Sequence, residues 1–152
     1  MTVVPGNLDD ARVLALLEEH LRTARAQTAQ GSAHALDPAA LRSGQIDFWA
    51  IWDGPAVVGI GALKRLAADH GEIKSMHTAA AARRRGAGSA LLNHIIASAR
   101  AQGLARLSLE TGSWDYFQPA RAFYRRHGFI ECAPFGEYVR DANSVFMTMM
   151  IR

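Results

Sequence analysis

Arg83-Arg84-Arg85-Gly86-Ala87-Gly88-Ser89 separates two stretches of opposite periodicity, and its reading decides the fold. Before it, Glu72-Ile-Lys-Ser-Met-His-Thr-Ala-Ala80 reads as a strand; after it, Ser89-Ala-Leu-Leu-Asn-His-Ile-Ile-Ala-Ser-Ala-Arg100, continuing to Gln102, places apolar residues on one helical face. The order is strand, basic glycine loop, helix. Small residues let the main chain turn closely around a bulky anion. A helix start offers unpaired N–H groups with a positive dipole, and the adjacent guanidinium groups add charge. A phosphate-bearing ligand is the first expectation.

Outward from this loop, Gly103 stops the helix and Ala105 to Thr111 alternates as a strand, which completes a βαβ crossover. Asp47 to Trp52 and Ala56 to Leu66 are aromatic or β-branched runs joined by Asp53-Gly54-Pro55, a hairpin whose third antiparallel neighbour is the strand at Glu72. Leu8, Val13, Leu14, Leu17 and Leu21 define a first amphipathic helix within Leu8 to Gln30, capped by Asn7 or Asp9. Asp37-Pro38 opens a short second helix. Downstream, Gly112 to Gln118 is a loop, Pro119 to His127 is a helix ended by Gly128, and Phe129 to Cys132 and Ser144 to Ile151 are the last strands. The pattern predicts an α/β chain, a mixed sheet flanked by helices, in one domain spanning residues 1 to 152.

Composition excludes several function classes. With 49% hydrophobic and 20% charged residues the chain is of ordinary globular type, and no apolar run approaches the roughly 20 residues of a membrane span. The amino terminus lacks the basic and apolar segments of a signal peptide, so a cytoplasmic location is the default expectation. Cys132 is the only cysteine, which rules out an internal disulfide and reads as a packing residue. The net charge of +3 does not demand nucleic acid, and no aromatic-interleaved basic stripe accompanies the arginines. His20, His34, His70, His94 and His127 show no ligand spacing, so no metal is expected.

Two nucleotide motifs fail. A P-loop requires lysine followed by Ser or Thr after its second glycine, whereas Gly88 is followed by Ser89-Ala90. A dinucleotide fingerprint requires a third glycine where Leu91 stands, and it opens its fold at the first strand. Arg83-x-x-Gly86-x-Gly88 instead resembles the coenzyme A loop of the GNAT N-acetyltransferase superfamily. Some thirty residues on, Ala120-Arg-Ala-Phe-Tyr124-Arg-Arg-His-Gly128-Phe129 is similar to that superfamily's second signature. Leu109-Glu-Thr-Gly112, Pro134-Phe-Gly-Glu-Tyr138 and Ser144-Val-Phe-Met147 further resemble a subgroup of small bacterial GNAT proteins.

The resemblance implies the GNAT fold, a mostly antiparallel sheet with a parallel βαβ core, and acetyl transfer from acetyl-coenzyme A to a primary amine of a small molecule or a protein. It implies no membrane or nucleic-acid partner, leaves monomer and homodimer open, and leaves open acyl groups other than acetyl. The main chain of Arg84, Arg85, Gly86, Ala87, Gly88 and Ser89 is expected to cradle the pyrophosphate while Arg83 and its neighbours supply charge, and Met76, His77 and Thr78 are expected to pair with the pantetheine arm by main-chain hydrogen bonds. Tyr124 stands where the superfamily often places the acid that protonates the departing thiolate, a role its phenol suits. Glu72 is the leading candidate base, Glu110 the second and His77 the third; Glu72 is equally suited to pairing with Lys74. His34, Phe48, Trp49, Trp114 and Tyr138 are expected to shape the acceptor pocket. The competing reading is a non-catalytic coenzyme A sensor or interaction module.

Overall fold

The computed structural model, which describes residues 1–152, orders the chain as β1 (Thr2–Pro5), α1 (Ala11–Ala26), α2 (Pro38–Leu41), β2 (Ile46–Asp53), β3 (Ala56–Ala67), β4 (His70–Thr78), α3 (Ala87–Ala101), β5 (Arg106–Gly112), α4 (Gln118–Arg126), β6 (Ile130–Cys132) and β7 (Ser144–Met150). Single 3₁₀ turns at Ala80–Ala82 and Asp115–Phe117 lead into α3 and α4. The strands form one sheet in the order β1-β2-β3-β4-β5-β7-β6. All pairings are antiparallel except β4 with β5, the crossover that α3 completes.

Each helix has a local cause. Asp10, one residue beyond the expected caps, accepts from the Arg12 amide and starts α1; Asp37 accepts from Ala40 and starts α2 with Pro38 in its first turn. The N-cap of α3 is Gly86 at φ 83°, a left-handed conformation that glycine adopts without a Cβ penalty. β1 went unanticipated, since Thr2-Val-Val-Pro5 is too short to carry a pattern; it pairs with Trp49–Trp52 as an edge strand.

The helices bury opposite sheet faces. Leu91, Leu92 and Ile95 of α3 pack on Ile51, Leu63, Ile73, Leu107, Leu109 and Met147, with Tyr124 and Phe129 closing the layer. Val13, Leu17 and Leu21 of α1 and Leu41 of α2 cover Phe48, Ala50, Ile60 and Ala62 on the other face. Fully burying one such aliphatic side chain contributes about 1.5–3 kcal/mol.

β4 and β5 part company in mid-strand. Their parallel register runs through His70↔Arg106, Gly71↔Leu107 and Glu72↔Ser108 and then ends, although both strands continue to Thr78 and Gly112. At the same point β4 bulges against β3: Lys74 pairs with Ala62 and His77 with Ile60, so Ser75 and Met76 share one partner position. Ser75 holds φ 58° there. Met76 is thrown towards α3 over Gly61, whose missing Cβ would lie 2.7 Å from the Met76 sulfur. The bulge also shifts the alternation by one, which brings His77 to the α1 face with Glu72 and Lys74.

Candidate active site

The gap between β4 and β5 opens into a cavity of about 750 Å³ that passes through the sheet. On the α3 and α4 side its walls are Gly86, Gly88, Ser89, Phe123 and Tyr124; on the α1 side they are His20, Thr23, His34, Glu72, Lys74, Glu110 and Tyr138. Several of these lie far apart in sequence, and the divergence of two parallel strands is what brings them to one place.

The loop end is built from main chain. None of the amides from Arg84 to Ser89 donates to an acceptor of the chain; the first bond of α3 is Ala90 N–H to the Gly86 carbonyl. Arg84, at φ 64°, and Gly86, at φ 83°, shape the turn that leads these donors into the helix. Arg83 and Arg84 line the cavity, and Arg126 at the end of α4 joins them from across it. Arg126 escaped the sequence reading because helix-ending arginines are common and only the fold brings this one near the loop. Two side chains of the loop do not join them. Arg85 is turned away and ion-paired with Asp53 of the β2–β3 hairpin at 2.7 Å, and Ala87 is buried under the helix rather than facing the cavity.

Tyr124 is buried, lines the cavity and makes no hydrogen bond to another residue; burial alone pushes its phenol up. Met76, His77 and Thr78 also line the cavity, on the part of β4 whose β5-facing edge has no strand partner. His77 has a further tie: its Nδ1 lies 3.4 Å from His20 Nδ1, and its buried Nε2 has no hydrogen-bond partner. Burial lowers His77 against the pull of Glu19, whose carboxylate lies 3.9 Å from Nε2, and burial, with the His77 charge, brings His20 down to about 4.

The candidate carboxylates differ sharply. Glu72 is 3% exposed and engaged through one oxygen: its Oε2 accepts 2.6 Å from Tyr138 Oη and 3.2 Å from Lys74 Nζ, while Lys74 donates 2.8 Å to the same phenol. Glu110 has no ion pair within 4.0 Å. Burial pushes it up to about 7 against the smaller pulls of the Ser144 hydroxyl and the Lys74 charge. The Ser144 hydroxyl is itself buried without a hydrogen bond of good geometry.

Of the expected acceptor-pocket residues, His34 and Tyr138 meet, ring to ring at 5.1 Å and edge on. Phe48 and Trp49 do not reach the cavity. Phe48 packs under α1 against Gly6, where an added Cβ would collide with its ring, and Trp49 lies in the α3 layer beside His94. Trp114 is 40% exposed and bonded to Asn143, outside the cavity walls. Aromatic character marked these positions, but it does not distinguish core from wall. Lys74 and Ser75 belong to the site and carried no signal as such, although Gly59 and Gly61 within β3 are a known mark of a bulge or of a close approach.

Comparison with known proteins sets this arrangement in context. The sequence profile of the Acetyltransferase (GNAT) family matches residues 13–129. The chain is 46% identical over 148 residues to the N-acetyltransferase YsnE of Bacillus subtilis, covering 97% of this chain and 98% of that one. It is 41% identical over 150 residues to the N-acetyltransferase YedL of Escherichia coli, covering 99% and 94%. A crystal structure from Klebsiella pneumoniae, assigned as an acyl-CoA N-acyltransferase, superposes with a TM-score of 0.80 at 27% identity, covering 99% of this chain and 97% of that one.

Proposed function

The chain belongs to the acetyltransferase (GNAT) family and is an acetyl-CoA-dependent N-acetyltransferase, and from that premise we propose the residues that perform the transfer and the kind of amine that receives it. Acetyl-coenzyme A supplies the activated acyl group as a thioester. The unpartnered amides of Arg84 to Ser89, with Arg83, Arg84 and Arg126, fit its pyrophosphate end, and the free edge of β4 at Met76 to Thr78 fits its arm.

Glu110 is the general base and Tyr124 the general acid, one on each side of the parted sheet. The observation that carries this reading is the contrast between the two glutamates: Glu72 spends its carboxylate on Lys74 and Tyr138, whereas Glu110 is unpaired and titrates near neutrality. A base serves best when its pKa lies near the working pH. Glu110 takes a proton from the amine, whose lone pair then forms the C–N bond while the C–S bond breaks and its electron pair stays on sulfur. Tyr124 Oη holds a proton for that sulfur and is restored by the second proton the nitrogen sheds. The net change from an ammonium acceptor is an amide, a thiol and one proton released to solvent through Glu110.

The acceptor is a primary amine, reached from the face that α1, His34 and Tyr138 enclose. Amine-dependent thiol release tests the assignment. Loss of release in Glu110→Gln and in Tyr124→Phe, with coenzyme A binding intact, supports it; undiminished release in either variant removes that residue from the reaction.

A further inference from the structure

The register that ends at Glu72↔Ser108 places Lys74 opposite Glu110, two residues further along each strand and on the same sheet face. No ladder bond spans the strands at this level, and the ammonium and carboxylate stay more than 4.0 Å apart. Each nevertheless lies within the field of the other. A cation and an anion therefore face each other across the opening without touching.

Lys74 is incompletely satisfied. Its side chain is 9% exposed, and an ammonium has three N–H donors, of which Glu72 and Tyr138 take two. A buried charged donor without a partner is costly, and an anionic group entering the cavity would satisfy it. The Glu72–Lys74 pair is neutral as a unit, which leaves Glu110 as the one unpaired carboxylate lining the cavity. The nearby Asp141 is held by the Asn143 amide and side chain and by Ser32, and Glu137 is exposed outside the cavity walls. A polyamine or multiply charged aminosugar would meet only one free carboxylate here, and a lysine side chain of a protein would bring no anion for Lys74.

We propose that the acceptor is a free amino acid, its carboxylate bound by Lys74 and its amine presented to Glu110. An α-amino acid carries both charges one carbon apart, in the polarity opposite to that of the two walls. Tyr138 and Glu72 hold the Lys74 ammonium in place, so Lys74 determines specificity while Glu110 performs the chemistry. The inference rests on the acetyl-transfer reading above and adds the substrate class to it.

The test compares free L-amino acids with their C-terminal amides as acceptors for the full chain saturated with acetyl-coenzyme A. The expected result is a preference in kcat/KM for the free acid of about tenfold to a hundredfold, the worth of one charge-assisted hydrogen bond. Because Lys74→Met alone strands Glu72, the informative variant is Glu72→Gln with Lys74→Met, which keeps the local charge at zero. It should erase the preference by raising KM for the acid more than KM for the amide, and Lys74→Arg should retain part of the preference. Amides used as well as acids, amides used instead of acids, or a preference that survives the double variant would each overturn the proposal while leaving acetyl transfer standing. Absence of turnover with every acid, amide and simple amine, despite a coenzyme A thermal shift, would overturn both.

Discussion

Tyr138 Oη and Glu72 Oε2 lie 2.6 Å apart although 66 positions separate them in the chain. This bond, with the Lys74 ammonium attached to both partners, pins the loop between β6 and β7 to the last residue of β4 that pairs with β5. It gives Glu72 a structural task. Glu72→Ala leaves a buried ammonium without its counter-charge, and a loss of about 3–5 kcal/mol in stability is expected in chemical denaturation. Glu72→Gln should lose less and should keep the acid limb of the pH–rate profile. Disappearance of that limb in Glu72→Gln would return the base role to Glu72.

Glu110, pushed up to about 7 by burial, must be ionised to accept a proton. kcat/KM should therefore rise with pH through about 7 and level off above it, provided the acceptor amine is not limiting. Glu110→Gln should lower turnover by about 10²–10⁴-fold and flatten the rise. A stopped assay across pH 5.5 to 9 measures both.

The same carboxyl has an opposite effect on stability. Its folded value of about 7 lies above the ordinary 4.5, so between these limits the native state holds a proton that the unfolded chain has released. Stability contributed by this group is fully present below about 4.5 and is lost as pH rises through about 7, a change of about 3 kcal/mol at roughly 1.4 kcal/mol per pH unit. Glu110→Gln should accordingly be more stable than the wild type at pH 8 and nearly equal to it at pH 4.5. Thermal melts at the two pH values give the comparison, with activity and stability moving in opposite directions.

Tyr124 has no protein partner for its hydroxyl, so Tyr124→Phe removes no internal bond. Stability should change by less than about 1 kcal/mol. Coenzyme A affinity should be retained while kcat falls by about 10²-fold, as for a lost general acid. Calorimetric binding alongside steady-state kinetics separates the two effects.

At the loop, backbone should matter more than charge. Gly86→Glu forces a side chain onto a residue at φ 83° and places a carboxylate among the free amides, so the thermal shift given by coenzyme A should vanish. Arg85→Ala should preserve that shift, since its guanidinium is paired with Asp53 and a surface pair of this kind contributes about 0–1 kcal/mol. Arg83→Ala should fall between them. Titration of the melting temperature with coenzyme A ranks all three.

The order of elements around residues 72 to 111 was legible because periodicity and glycine punctuation are local, and the α3 start, the crossover and the β2–β3 hairpin all stand where the sequence puts them. The position of Tyr124, Gly86 and Gly88 at one cavity was legible as well, since they belong to recurring motifs. What escaped was non-local. Simple alternation sends His77 and Glu72 to opposite faces, and the bulge at Ser75 reverses that without any glycine or proline at the bulged position itself. The choice between Glu72 and Glu110 depends on Tyr138, whose approach is governed by the packing of Phe135 and Phe146 around it. Trp49 and Trp114 show the converse error, where a residue type suited to a pocket wall is equally suited to a core or a surface loop.

The short parallel seam between β4 and β5 has a mechanical side. With only His70, Gly71 and Glu72 registered against the neighbouring strand, the sheet behaves as two panels, β1 to β4 and β5 with β7 and β6. They are sutured by α3 on one face and by the Glu72–Tyr138–Lys74 knot on the other. A ligand lying in the cleft becomes the missing length of seam. Occupancy then registers as stiffness of the whole sheet, and amides on the free edge of β4 should slow in hydrogen exchange before any catalytic step occurs.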